Sequence, residues 1–328
     1  MEQDPPLMKS KNLFLLLRIV FSCGILYVIF RKLDTNQLKD LIPNIVFLFL
    51  TLSFLFVLLD RVLMTYRWQI LLKAKSTIIP FFEILRIYFV SSFLGIFLPS
   101  SVAPDAMRVY LATKYDCTNA CAISSVFLDR IIGFLTFAFV ALGSCLVLII
   151  TGNSQIISGS MFILILLPFL ALLLWALFHG YIVKILERLS EKKYFSSLYR
   201  VLTETYRSLV SYKNNILDLL KVTAICFLNH GMFILTVYLI TLSLNLHVSV
   251  IHLAVYIPLV TLVTMIPISL GGLGVQEGAY VYLLSRSGLS LQESFAVALL
   301  IRVVVTLGCL PGFALYLSSG FHGKRIME

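Results

Sequence analysis

Charge is what this sequence has least of. Asp, Glu, Lys and Arg make up 13% of its 328 residues, where a soluble domain carries roughly 25%. None of the four occurs from Val222 to Gln276, nor from Ile131 to Val183. Both stretches exceed the roughly 20 apolar residues of one helical crossing. With 59% hydrophobic residues and a mean hydropathy of +0.97, a soluble globular fold is excluded. The polar-in, apolar-out alternation of an outer-membrane barrel is missing too. The expected fold class is therefore all-α, a polytopic transmembrane helix bundle. The longest polar stretch, about 184–215, is too short for a separate soluble domain.

Other absences narrow the chemistry. The six cysteines are scattered, and Cys117 and Cys121 lack partners at zinc-site spacing, so they read as small buried hydrophobes. No Ser/His/Asp constellation, metal-ligand cluster or ATP-binding motif is visible, and no cofactor is expected. The glycines at 271, 272, 274 and 278 depart from the dinucleotide fingerprint, because Glu277 stands where its third glycine belongs. A net charge of +10 does not point to nucleic acid, since no basic soluble module carries it. It points to cytoplasmic loops, where Lys and Arg collect.

Apolar runs and turn residues predict six full spans, at about 13–30, 42–66, 122–150, 161–183, 217–243 and 291–318. Pro43 falls near the first turn of the second, and Arg67, Lys73 and Lys75 mark a loop after it. Lys9 and Lys11 precede the first run as in a signal peptide. No small-residue cleavage site follows, so it reads as an uncleaved helix. Two further apolar segments, about 80–115 and 250–286, are broken by prolines and glycines. Residues 184–221 hold eight Lys and Arg and must be cytoplasmic, whereas the loops at 151–160 and 242–251 hold none and are external. Lys324 and Arg325 then want a cytoplasmic C-terminus. This works only if both broken segments enter and leave on one side, as re-entrant hairpins. Only Arg31, Lys32, Lys39 and Arg286 are then outside, with Arg302 in the bilayer. Each half, 1–150 and 151–328, reads span, span, hairpin, span. An odd span count gives the halves opposite orientation, an inverted-topology repeat. Segment 184–215 is a basic, amphipathic cytoplasmic element.

The charges that remain fall into a pattern that occurs twice. LPSSVAPDAMRVY (from Leu98) and FLDRIIGF (from Phe127) form one copy. IPISLGGLGVQEGAY (from Ile266) and LLIRVVVTLG (from Leu299) form the other. A lone charge at mid-bilayer costs about 2.5–3.5 kcal/mol on insertion scales, so these must be paired or in water. Asp105, Arg108, Asp129, Arg130, Gln276, Glu277 and Arg302 are therefore the candidate substrate-binding residues. Aligning the halves on their prolines sets Arg108 opposite Glu277 and Arg130 opposite Arg302. Pro99, Pro104, Pro267, Gly271, Gly272 and Gly274 set the hairpin geometry. Two readings stand: a cationic cavity for an anionic headgroup, with arginine matching phosphate in a bidentate way, or ion pairs that only fix hairpin packing. Gly274 and Gly278 read as a small-xxx-small helix contact. The helix they open can also aim its amides at an anion. Arg61, Arg67 and Arg86 read as snorkelling to headgroups, and His230 beside Asn229 as a packed, hydrogen-bonded histidine. Glu277 or Asp105 is a candidate to titrate if an ion gradient drives transport.

These paired signatures, with GGLGVQE followed by Gly288-Leu289-Ser290 and the later arginine, resemble the flippase-like integral membrane family that includes the transmembrane domain of lysylphosphatidylglycerol synthase. The resemblance covers nearly the whole chain. It implies a lipid flippase that moves aminoacylated or otherwise modified lipids between leaflets. The synthase members carry an additional C-terminal aminoacyl-transfer domain, which this sequence, ending at Glu328, is expected to lack. The family commonly has glycine before the first motif's Asp, where this chain has Ala103-Pro104. The resulting expectation is a multi-pass protein of the inner membrane with both termini cytoplasmic and membrane lipids as its partners. It would move a polar, anionic or modified headgroup, with a second copy or a lipid-synthesis enzyme as further partners. A membrane-embedded lipid-modifying transferase and a non-catalytic subunit of an envelope-lipid assembly are the alternatives.

Overall fold

The computed structural model describes residues 6–98, 102–150, 196–265, 269 and 271–318. These residues form helices and no strand. In chain order they are α1 (Pro6–Lys32), α2 (Thr35–Leu41), a 3-10 turn (Ile42–Asn44), α3 (Phe47–Lys73), α4 (Phe81–Phe97), α5 (Ala103–Ala112) and α6 (Asn119–Ile150). After the gap come α7 (Ser196–Ser211), α8 (Ile216–Ser243), α9 (Val250–Met265), α10 (Val275–Ser285), α11 (Leu291–Leu307) and α12 (Pro311–Ser318).

Four helical stretches are long and apolar enough to cross a membrane: Phe47–Lys73, Asn119–Val147, Ile216–Ser243 and Leu291–Ser318. At 1.5 Å per residue a 27-residue helix spans about 40 Å, more than the hydrocarbon core. These match four of the six expected spans, and α1 contains the expected first one. The expected span at 161–183, the loop before it, Pro99, Pro267 and the C-terminal Lys324 and Arg325 lie outside the described residues. Between the spans, the two broken segments are pairs of shorter helices, α4 with α5 and α9 with α10.

One boundary differs from expectation. Pro43 sits in the separate 3-10 turn, and α3 starts only at Phe47 and runs on to Lys73. Arg67 therefore does not end the helix. Its charge is met by Asp129, so the helix continues past it.

Helices α3 and α8 form the antiparallel centre of the bundle. At one end Val46 donates its N–H to Ser243 O at 2.8 Å, and Asn245 Nδ2 donates to Asn44 O at 2.9 Å. At the other end Tyr212 donates its hydroxyl to Leu71 O at 3.0 Å. There the amphipathic α7, the described part of segment 184–215, docks beneath α6. Lys75 sits 4.0 Å from the Tyr212 ring centroid and reaches Ser208 O and Ser211 Oγ. Partial burial lowers its ammonium below the ordinary lysine pKa.

Three apolar clusters form among the described residues, one of them joining Leu71, Ile132, Tyr212 and Val222 where α7 docks. Ile240, Leu253, Tyr256, Ile257, Val297 and Ile301 join α8, α9 and α11. Trp68, Leu72, Ile84, Ile87, Leu111 and Ala122 join α3, α4, α5 and α6. The outer faces carry exposed Leu48, Leu59, Phe139, Leu217, Leu228 and Leu299, as a surface in contact with lipid requires.

The two pairs of shorter helices are held crosswise. α6 packs on α9, and α12 packs on α4. The second contact depends on Gly312, where a Cβ would stand 2.1 Å from Phe89 O. Within the first hairpin a Cβ at Gly95 would stand 2.3 Å from Pro104 Cγ. In the second, Gly272 (φ +78) and Gly274 (φ +79) take left-handed conformations that side chains resist. Ser22 O and Ile25 of α1 lie against Gly274, and Ile25 and Ile29 against Gly278. The small-xxx-small pair thus serves the approach of α1.

Candidate functional site

The first motif folds into one charged network. Asp105 is the third residue of α5, and Arg108 lies one turn further on. Asp129 and Arg130 lie in the first half of α6, and Arg67 comes from α3. Arg67 grips Asp129 with two bonds, Nε to Oδ1 at 2.6 Å and Nη2 to Oδ2 at 3.1 Å. Arg130 grips Asp105 in the same way, Nε to Oδ2 at 2.6 Å and Nη2 to Oδ1 at 3.0 Å. Arg108 joins the two pairs. Its Nη2 donates to Asp105 Oδ1 at 2.5 Å, and its Nη1 lies 3.5 Å from Asp129 Oδ2. The guanidinium carbon is 5.2 Å from the Trp68 ring centroid and 5.0 Å from that of Tyr88, close enough for cation–π attraction.

All members except Arg130 are buried. Buried ions are tolerable only when paired and hydrogen-bonded, and the network meets that condition with one exception. Arg108 Nη1 is buried and has no hydrogen-bond partner.

The second motif folds into a smaller cluster with the same plan. Glu277 is the third residue of α10. Its Oε2 accepts from Gly274 N–H at 2.8 Å and caps the helix. Arg302 Nε donates to Glu277 Oε1, and its Nη2 donates to Gln276 Oε1 at 3.1 Å and Gly272 O at 3.2 Å. Among the described residues, no ion pair links this cluster to the first.

The two plans correspond residue by residue. Each carboxylate is third in its short helix, and each accepts from an arginine 25 residues later. Asp105, not Arg108, is thus the counterpart of Glu277, while Arg130 and Arg302 correspond as expected. The helix N-terminus fixes the place of each carboxylate, a mark that an alignment on prolines does not use.

A cavity of about 270 Å³ opens beside the first network. Arg108, Asp129 and Arg130 line it, together with Asp60, Arg61, Arg67, Asn229 and His230, and Phe134, Phe137 and Phe233 supply apolar wall. Asp105 stands behind this wall and holds two of its arginines. Gln276, Glu277 and Arg302 do not line it. The expected set therefore divides: four residues build one site, and three form a separate clasp on the second hairpin.

Sequence reasoning missed the α3 and α8 contributions. Arg67 is buried at 6% exposure and is part of the network, not a snorkelling side chain. Arg86 does stay at the half-exposed edge, paired with Glu83 at 3.0 Å. Asp60 accepts from Asn229 Nδ2 at 2.6 Å. The available signal was spacing, since Asp60, Met64 and Arg67 stand at i, i+4 and i+7 on one helical face. His230 is packed as expected. Its Nε2 faces Thr136 Oγ1 at 2.7 Å and Gly133 O at 3.1 Å, and its ring stacks on Phe137. Among the described residues no group of three His, Cys, Asp or Glu is placed to hold a metal.

Spans with a buried charged site between them define a multi-pass α-helical membrane protein. The chain belongs to the family of the lysylphosphatidylglycerol synthase transmembrane region, whose pattern matches residues 15–312. It is also similar to a UPF0104 membrane protein of Methanothermobacter thermautotrophicus. The two are 24% identical over 300 residues, which cover 85% of this chain and 84% of the relative. No solved structure matches the chain.

Proposed function

We propose that the protein is a lipid flippase that passes a polar, anionic or modified headgroup across the bilayer while the acyl tails stay in lipid. The observation that carries this reading is the arginine-lined cavity between the apolar helices. Four arginines line it, and Arg108 Nη1 is buried with no hydrogen-bond acceptor, its ion-pair contact with Asp129 Oδ2 standing at 3.5 Å. A phosphate oxygen is the acceptor such a donor fits. Family membership supports a membrane-lipid role without fixing the cargo.

The topology follows the same reading. Residues 1–150 and 151–328 are two inverted repeats, and α4–α5 and α9–α10 are re-entrant hairpins. Both termini are cytoplasmic, and the membrane is the inner one. The matched clasps Asp105–Arg130 and Glu277–Arg302 support this, as does the crosswise packing of each hairpin under the other half. Irregular backbone at membrane depth is tolerated only where protein or water covers it, and the hairpin turns meet that condition if they lie inside the bundle. The partners are membrane lipids.

The test is reconstitution in vesicles carrying fluorescent phosphatidylglycerol, with quencher added outside to report movement between leaflets. Arg108→Ala should slow movement by about tenfold or more, the equivalent of ~1.4 kcal/mol. Lys221→Ala, an exposed pair with Asp218 away from the cavity, should not. Movement at the wild-type rate in a folded Arg108→Ala protein would leave the network a packing device.

A further inference from the structure

Every acidic side chain in the two motif clusters has its own arginine. Asp105, Asp129 and Glu277 each lie within ion-pair distance of one. Asp60 is different. It sits near the middle of α3, is 7% exposed and lines the cavity, yet no Lys or Arg among the described residues pairs with it. Its one side-chain partner is the neutral amide of Asn229. That amide is oriented by its surroundings, because Nδ2 faces two acceptors, Asp60 Oδ1 at 2.6 Å and Asp60 O at 3.3 Å. Asn229 is 1% exposed, and its Oδ1 is buried with no donor.

A buried acceptor without a donor costs about 1–3 kcal/mol, and a mostly buried carboxylate with no cation at ion-pair distance tends to neutralise instead. One proton answers both. On the free oxygen of Asp60 it removes the unpaired charge and becomes an O–H donor, the group that Asn229 Oδ1 lacks.

We infer that Asp60 and Asn229 form a proton-binding site whose occupancy is coupled to that of the neighbouring anion site; this rests on the flippase reading. The groups that face Asp60 set the sign of the coupling. They are Arg61 and Arg67 on its own helix and, across the shared cavity, Tyr88 from α4, Arg108 from α5, Asp129 and Arg130 from α6 and His230 from α8. With Asp60 ionised, four arginines are opposed by Asp60, Asp129 and the supporting Asp105. With a proton taken from cavity water, two aspartates remain. The site gains one positive charge, so proton and anion favour each other's binding, and by linkage the effect is reciprocal. Asp105 and Glu277 are held in ion pairs and serve this role less well. The inferred cargo is an anionic headgroup that moves with a proton, so a proton gradient would drive its transport.

The experiment uses the full-length protein in detergent. Short-chain phosphatidylglycerol is titrated calorimetrically in two buffers of different ionisation enthalpy, which gives the protons taken up per lipid bound. Wild type should take up a proton as lipid binds, and its affinity should rise on acidification. Asp60→Asn should show neither, behaving at every pH as the protonated protein does, and Asp60→Glu should restore the uptake. Lipid binding by wild type without proton uptake at any pH would overturn this inference alone. Uptake that persists in Asp60→Asn would do the same. No lipid binding at all would overturn the flippase reading with it. Should Asp60→Asn fail to fold, Asn229→Ala carries the test. It keeps the carboxylate and removes its donor, so the pH at which uptake is half-maximal must move, and an unmoved midpoint rejects the site.

Discussion

Arg67 and Asp129 meet in two hydrogen bonds across 62 residues of sequence, both ends buried. Such a pair adds little net stability over apolar side chains of equal size, yet breaking it strands a charge, at a cost of about 3–5 kcal/mol. Arg67→Ala should therefore lower the thermal stability of the detergent-solubilised protein by an amount of that order. Asp129→Ala should do so too, and the double variant should lose much less than the sum of the two. Additive losses would mean that the charges are neutralised by something other than each other. The same pair shows why the site was only half legible in the sequence. Asp105, Arg108, Asp129 and Arg130 stood out because they lie in motifs amid apolar residues. Arg67 lies near a helix end, where an arginine ordinarily reaches for water and headgroups, and nothing in local spacing names a partner two helices away. Asp60 stayed hidden for a related reason: its partner is a neutral amide, which no count of charges registers.

The short helices are where the pattern of the sequence and the structure agree most closely. Ser290 opens α11 with a capping box, its Oγ accepting from Glu293 N–H at 3.2 Å while Glu293 Oε2 accepts from Ser290 N–H at 2.7 Å. Gly288 turns the chain just before it with φ +94. The Gly-Leu-Ser signature is thus a turn followed by a helix start, and it ends the second hairpin. Helix lengths also bear on topology. α9 and α10, at 16 and 11 residues, are each too short for the roughly 20-residue crossing, and an ion-paired Arg302 stands beside their turn. If the pair re-enters, Arg286 at the end of α10 returns to the external face. A single cysteine at that position, in a background without the native six, should react with an impermeant maleimide added outside intact cells. Reaction only after the cytoplasmic face is opened would make α9 and α10 part of a full crossing. The breaks between the short helices were readable from Pro and Gly; register was not, because proline alignment placed Arg108 where the helix N-terminus places Asp105.

At the scale of the whole molecule the described residues form two clasps of one design, and the arginine-lined cavity lies beside the first. Composition alone gave the class, since charge-free runs of such length have no soluble solution. Four of the expected spans came from apolar runs that need no tertiary information. What composition hides is the crosswise arrangement, with α6 over α9 and α12 over α4, because packing between halves leaves no mark on local pattern. α3 carries Asp60, Arg61 and Arg67, and the groups that receive them, Asn229 and Asp129, are synthesised later. At about 2.5–3.5 kcal/mol for a charge at a helix centre, the central Asp60 and Arg61 make α3 a poor client for the insertion machinery on its own. It should be retained near the translocon until α6 arrives. Truncated chains that stop before Asp129 should integrate α3 less completely than chains that run through α6, scored by glycosylation sites engineered in its flanking loops. Changing Asp60, Arg61 and Arg67 together to leucine should abolish the difference. The charges that equip the cavity would then also set the order in which the bundle is assembled.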